Sequence, residues 1–297
     1  MKDTALETLL RRDRAIVVAA LITLTAISWI YVLWLASAMD MTAPPAASDT
    51  MDMGSGMDMD MEMPIDMPMN MPMEAQGGSM TSMATAAAGP WTAATFAYAF
   101  VMWAVMMVGM MVPSATPMIL LYARVGRQAA QQGKPFAATG FFAGGYLLAW
   151  TLFALIAVLG QWLLDHALLL TPMLSSANQA LSGAVLVAVG LFQWTSLKDR
   201  CLRQCQSPLL FIQNHGGFRR EAGAAFGLGL RHGLYCVGCC WALMALLFVG
   251  GVMNVLWIAA IAIFVLAEKV VPGGRLLSRV AGVVLVMAGL WQLAAMT

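Results

Sequence analysis

The stretch from Ile16 to Ala38 is a run of about 22 apolar or small residues, and a chain that carries several such runs has few folds open to it. A helix needs about 20 predominantly apolar residues to cross a ~30 Å hydrocarbon core. Runs of comparable length recur at 90–123, 136–164, 173–197, 223–249, 252–271 and 277–296. Hydrophobic residues make up 61% of the 297-residue chain and charged residues only 10%, outside the usage of soluble domains. The expected fold class is all-α, a polytopic transmembrane helix bundle of about seven spans. It divides into a polar tail and anchor helix (1–38), a loop of different composition (39–89) and a six-span core (90–297) with a polar segment at 198–221. Ala36-Ser37-Ala38 looks like a signal-peptidase site, but the apolar run before it is long for a signal sequence, so an uncleaved anchor is expected.

The placement of the charges orients the spans. Fifteen of the sixteen Lys and Arg lie in the N-terminal tail or at 124–134, 198–220 and 269–279, so every second connection is basic. The connections near 165 and 250 and the 39–89 loop carry none. Basic loops stay on the cytoplasmic side, which predicts the N-terminus inside, the C-terminus outside and a bacterial inner-membrane location. Arg231 is the exception: either it faces the bundle or snorkels, or the fifth span starts later. The formal net charge of +1 gives no sign of a nucleic-acid partner. The expected surroundings are the lipid bilayer.

The 39–89 loop, expected in the periplasm, holds 14 methionines and eight Asp or Glu with no Lys or Arg. Met57, Met59, Met61, Met63, Met67, Met69, Met71 and Met73 come at almost every other position, broken by Asp, Gly and Pro. Such a segment favours neither helix nor sheet and reads as a disordered loop. Thioether sulfur is a soft ligand suited to Cu(I) or Ag(I) and needs no deprotonation. It also escapes the disulfide formation that disables thiols in an oxidising compartment.

Two soft-donor sets lie in the spans. Met102, Met106 and Met110 recur every four residues along one face of the second span, with Met107, Met111 and Met118 on another, and Pro113 and Pro117 are expected to kink it. Such a stripe reads either as core filler or as a thioether path for a soft ion. In the fifth span, His232, Cys236 and Cys239 fall within roughly a 60° arc at 100° per residue, and Cys240 flanks them. An imidazole and clustered thiols on one face suit metal ligation, thiol–disulfide exchange, or simple packing of small apolar residues. Glycines at 227, 229, 233 and 238 permit another helix to approach closely, and the methionine-lined span is a candidate neighbour. Cys201 and Cys205, with His215 nearby, share a helix face in the polar 198–221 segment; they read as an inner acceptor point for metal or as ordinary reduced cysteines. Glu268 and Lys269 are expected to mark a membrane boundary, with Glu268 facing the bundle as the alternative.

The residues Trp103 to Ser114, Cys201-Leu-Arg-Gln-Cys205 followed by Ser207-Pro208, Gly229 to Met244, and Glu268-Lys269 resemble a bacterial family described as predicted metal-binding integral membrane proteins, over about residues 90–296. The resemblance implies a polytopic inner-membrane protein with a metal-binding role. Together these features lead to an inner-membrane protein that binds and handles Cu(I), with transport or delivery running from the methionine-rich loop through the methionine-lined span to the His–Cys set. The expected partners are a periplasmic copper carrier or a membrane cuproenzyme. No phosphate-binding loop or pump signature is present, which argues against primary active export. The rival readings are a membrane thiol–disulfide oxidoreductase using Cys236 and Cys239, and an assembly subunit that transports nothing. No catalytic residue is assigned.

Overall fold

A computed structural model describes residues 5–40, 91–132, 139–167, 178–217 and 221–295. These residues form ten helices and no strand: α1 (Ala5–Asp40), α2 (Ala93–Gln131), α3 (Thr139–His166), α4 (Gln179–Phe192), α5 (Ser196–Gln206), α6 (Pro208–Asn214), α7 (Ala222–Ala245), the short α8 (Leu247–Gly250), α9 (Val255–Val270) and α10 (Gly274–Ala294). The all-helical class follows from the long apolar runs. Helix starts follow local chemistry: the Asn178 carboxamide accepts from the Ala180 and Leu181 N–H groups, Thr195 Oγ1 from Lys198 N–H, and Asn254 Oδ1 from Trp257 N–H. Pro208 opens α6, where a missing N–H costs nothing. Pro113 and Pro117 both lie inside one continuous helix, α2.

Five helical stretches are long and apolar enough to cross a membrane: 15–38, 93–129, 139–166, 222–250 and 274–294. A sixth is obtained if α4 and α5, bent by 64° about residues 193–195, count as one broken span. The expected 252–271 span is represented by α9, whose 16 residues reach only ~24 Å. The expected polar segment after residue 197 is α5 and α6, and it is not a surface loop throughout: Lys198, Cys201, Leu202, Phe211 and Ile212 are buried. The outward surface is strongly apolar, with Leu256 84% and Trp291 80% exposed. In water, an apolar surface of this extent would drive association.

The helix directions can be read from their contacts. Along α3 and α7 the paired residues rise together (Phe142 with Gly229, Ala149 with Gly233), so these helices run parallel. Along α4 and α10 they run in opposite senses (Gly183 with Leu293, Gly190 with Val286). Helices α2 and α3 are antiparallel: Trp91 Nε1 donates to Asp165 at 2.6 Å, Trp103 Nε1 to Gln161 Oε1 at 2.7 Å, and Tyr146 OH to the Met111 carbonyl at 3.0 Å. Helices α3 and α7 approach each other very closely. A Cβ on Gly229 would lie 1.9 Å from the Phe142 carbonyl oxygen, and one on Gly145 would lie 2.1 Å from that of Phe226. The two backbones therefore touch, as small residues allow wherever helices pack in an apolar medium. Helix α1 lies against α2 with few buried positions, among them Ser28, Val32 and Leu35.

Candidate metal centre

The thiols of α7 are buried in the core, and the structure adds a fourth to them. Cys236, Cys239 and Cys240 are each at most 1% exposed. Cys239 Sγ lies 3.2 Å from Cys240 Sγ and donates to the Cys236 carbonyl at 3.1 Å. The Cys205 thiol on α5 lies within interaction range of those of Cys236 and Cys239. Its partner on the same helix, Cys201, turns to the other side of the contact, where its sulfur would be 3.0 Å from a Cβ on Gly238. Gly238 thus makes room for α5. All five cysteines are free.

Cys236 has two further partners from other helices. Lys269 Nζ on α9 is 2.8 Å from its sulfur, and Tyr146 OH on α3 is 3.2 Å away. Lys269 Nζ also donates to Ser114 Oγ of α2 at 3.0 Å. Helices α3, α7 and α9 therefore meet at one sulfur, and α2 is joined to it through Lys269. Glu268 and Lys269 do not stand at a solvated boundary as expected; they are 1% and 9% exposed. A buried charge must be paired or hydrogen-bonded to persist. Lys269 is matched by Cys236 and Ser114. Glu268 Oε1 accepts from Lys198 Nζ at 2.7 Å and from Ser278 Oγ, and Lys198 also donates to Gln193 Oε1.

The methionines of α2 are all buried: Met102, Met106, Met107, Met110, Met111 and Met118 are at most 8% exposed. Their helix packs chiefly against α1 and α3, with a smaller contact to α9, and is not a principal neighbour of α7. The expected direct seam between the methionine span and the cysteine span is replaced by a bridged one. Tyr146 OH touches both the Met111 carbonyl and Cys236, and Lys269 touches both Ser114 and Cys236, so Met111 and Cys236 lie at the same level. His232 is one turn before Cys236, 3% exposed, in an aromatic enclosure. Its ring centroid is 5.0 Å from Phe211, 5.8 Å from Tyr146 and 6.0 Å from Phe142, and its Nδ1 has no hydrogen-bond partner among the described residues. Met57, Met59, Met61, Met63, Met67, Met69, Met71 and Met73 lie outside the described residues.

Among the described residues no three His, Cys, Asp or Glu side chains form a ready-made metal cage. The thiols meet in pairs rather than around one point. Rotation about χ1 is the motion that would turn two or three of them onto a common ion. Lys269, Tyr146 and Ser114 were not singled out from the sequence as partners of the cluster. The available signal was a lysine next to a glutamate at the end of an apolar run, and intramembrane charges mark function by default.

The fold and this cluster define an all-helical protein with membrane-length apolar helices around a buried core of thiols and thioethers. A family model described as "PpoB2: Copper chaperone" matches residues 100–292, about two thirds of the chain, and the chain belongs to that family. No curated protein and no solved structure matches it.

Proposed function

We propose that this protein is a seven-span inner-membrane carrier of Cu(I) that takes the ion from the periplasmic side and hands it on through the thiol cluster. The observation that carries the reading is the convergence of Cys205 with Cys236, Cys239 and Cys240 in an apolar core, level with the methionine-lined α2 and beside an ammonium group. Cu(I) held by two thiolates bears one net negative charge. Lys269, 2.8 Å from Cys236 Sγ, supplies the opposite charge where water cannot. Thiolates and thioethers select soft metals, so Cu(I), and Ag(I) by the same chemistry, suit this donor set. His232 Nδ1, unpartnered one turn away, is a further donor for the ion.

The topology rests on charge placement, and the helix directions support it. The α2–α3 antiparallel, α3–α7 parallel and α4–α10 antiparallel relations are those that alternating spans require, and the placement of the basic residues sets the N-terminus inside. The α7–α8 stretch of 29 residues is ~43 Å long, against a ~30 Å core. If the excess lies on the basic side, about nine residues protrude there, which puts Arg231 at the membrane surface and the thiols ~8–14 Å below it. In this reading the methionine-rich loop captures the ion outside, the thioethers of α2 conduct it inward, and Cys205 and Cys201 receive it. A periplasmic copper carrier or a membrane cuproenzyme completes the route at either end.

Copper content separates this from the thiol oxidoreductase reading. Full-length protein purified under reducing conditions with Cu(I) is expected to hold the ion in sulfur coordination by X-ray absorption, and the Cys236→Ser/Cys239→Ser variant to lose most of it. Wild-type protein that stays metal-free and cycles a disulfide sinks the proposal.

A further inference from the structure

A cavity of about 450 Å³ opens where α5, α6 and α7 meet, lined by Cys201, His215, Arg231, Leu234 and Tyr235. Its size suits a small molecule. Arg231 is exposed and has no acidic partner among the described residues, unusual for a guanidinium on an otherwise apolar helix. Its planar fork matches a carboxylate or a phosphate. His215 is fixed through Nδ1, 2.7 Å from the Phe211 carbonyl, with its ring stacked 4.5 Å from Phe211, so Nε2 is the nitrogen left to meet a ligand. Cys201 is 7% exposed and one helical turn before Cys205, which meets the Cys236 and Cys239 thiols. The cavity's cysteine and the buried thiol cluster are thus reached from the same helix, α5, one turn apart.

The combination restricts the occupant. A bare metal cation is repelled by the unpaired guanidinium. A phosphate headgroup accounts for Arg231 but leaves the cysteine and the imidazole without a purpose. An anionic molecule that carries its own thiol uses all three: its carboxylate pairs with Arg231, and its sulfur approaches Cys201 beside His215. We propose that this cavity binds a small anionic thiol, a cysteine-containing peptide with free carboxylates, which exchanges Cu(I) with the chain at Cys201. The exchange rests on the copper reading above. In it, the Cu–S bond to Cys201 is replaced by a Cu–S bond to the incoming thiol. The proton of that thiol passes to the released Cys201 sulfur, and copper remains Cu(I) throughout.

The test uses the full chain in nanodiscs of zwitterionic lipid. S-methylglutathione, which keeps the carboxylates and lacks a free thiol, is titrated into copper-free protein. Saturable one-site binding is expected, weakened about tenfold by Arg231→Gln, as loss of a charge-assisted pair implies. With Cu(I)-loaded protein, transfer to glutathione is expected to saturate with concentration and to lose its fast phase in Cys201→Ser. Absent binding, or binding indifferent to Arg231→Gln, overturns the cavity assignment. Binding abolished by nanodiscs of phosphatidylglycerol also overturns it, by revealing a headgroup site. Transfer unaffected by Cys201→Ser overturns the exchange step. A chain that takes up no Cu(I) sinks the copper reading and the exchange together, while the copper-free titration still decides whether the cavity holds the peptide.

Discussion

Glu268 and Lys269 are consecutive residues of α9, both buried, and they serve two polar clusters of different chemistry. Glu268 faces α5 and α10, where its Oε1 accepts from Lys198 and Ser278, and Lys198 also donates to Gln193. Lys269 faces α7 and α2, where its partners are a thiol and a hydroxyl. Successive helix residues point about 100° apart, so one turn of α9 reaches two neighbourhoods. In the first network Glu268 Oε1 is paired with Lys198, while Oε2 has no hydrogen-bond partner among the described residues. In the second, the ammonium is paired with a sulfur that can change partners. Glu268 thus ties α9 to α5 and α10 while Lys269, the next residue, stands at the height of the clustered thiols.

The largest expected effect breaks the anchored side. Lys198→Met leaves Glu268 as an uncompensated buried charge, and a loss of about 3–5 kcal/mol is expected, seen as a large fall in the thermal unfolding midpoint of the purified protein. The double variant Lys198→Met/Glu268→Leu is expected to recover most of that loss; if it is no more stable than the single variant, the pair is not the anchor it is taken for. Next comes the thiol side. Lys269→Met is expected to weaken Cu(I) retention about tenfold, ~1.4 kcal/mol, in competition with a soluble Cu(I) chelator, because a buried bis-thiolate complex then lacks its counter-charge. Lys269→Arg should keep most of the affinity, and equal loss in both variants would point to packing rather than charge. The smallest effect is at the bridge. Tyr146→Phe removes the hydroxyl between Met111 and Cys236 and is expected to cost about 1 kcal/mol in unfolding free energy with the helix packing retained.

A contrast of the same kind holds between α3 and α2 as neighbours of α7. Both are long apolar helices, and the sequence made α2, with its methionine ladder, the attractive partner. Helix α3 lies directly against α7 because Gly145 faces the backbone of Phe226 and Leu230 while Gly229 and Gly233 face the backbone of Phe142 and Tyr146, and backbone can approach backbone only where no Cβ intervenes. The glycines of α7 were visible in the sequence, but their complement in α3 could be recognised only once the two helices were aligned. Gly227, grouped with them by spacing, has nothing within 4 Å of an added Cβ.

Taken alone, the sequence determined the helical class, the long apolar stretches and the set of His232, Cys236, Cys239 and Cys240 on one helix, because each depends on residues close along the chain and on a fixed helical period. Tertiary structure decided the rest. It folded Ser196–Gln206 into a helix that delivers Cys205 to the thiols and Lys198 to Glu268, and it left Cys201 at a cavity with Arg231. It also carried Lys269 from an apparent boundary into the core. The reason is that a buried charge or an unsatisfied thiol is stable only beside a partner. Here those partners are 33 residues away for Lys269 and Cys236, and 70 for Lys198 and Glu268, separations at which no local periodicity carries information.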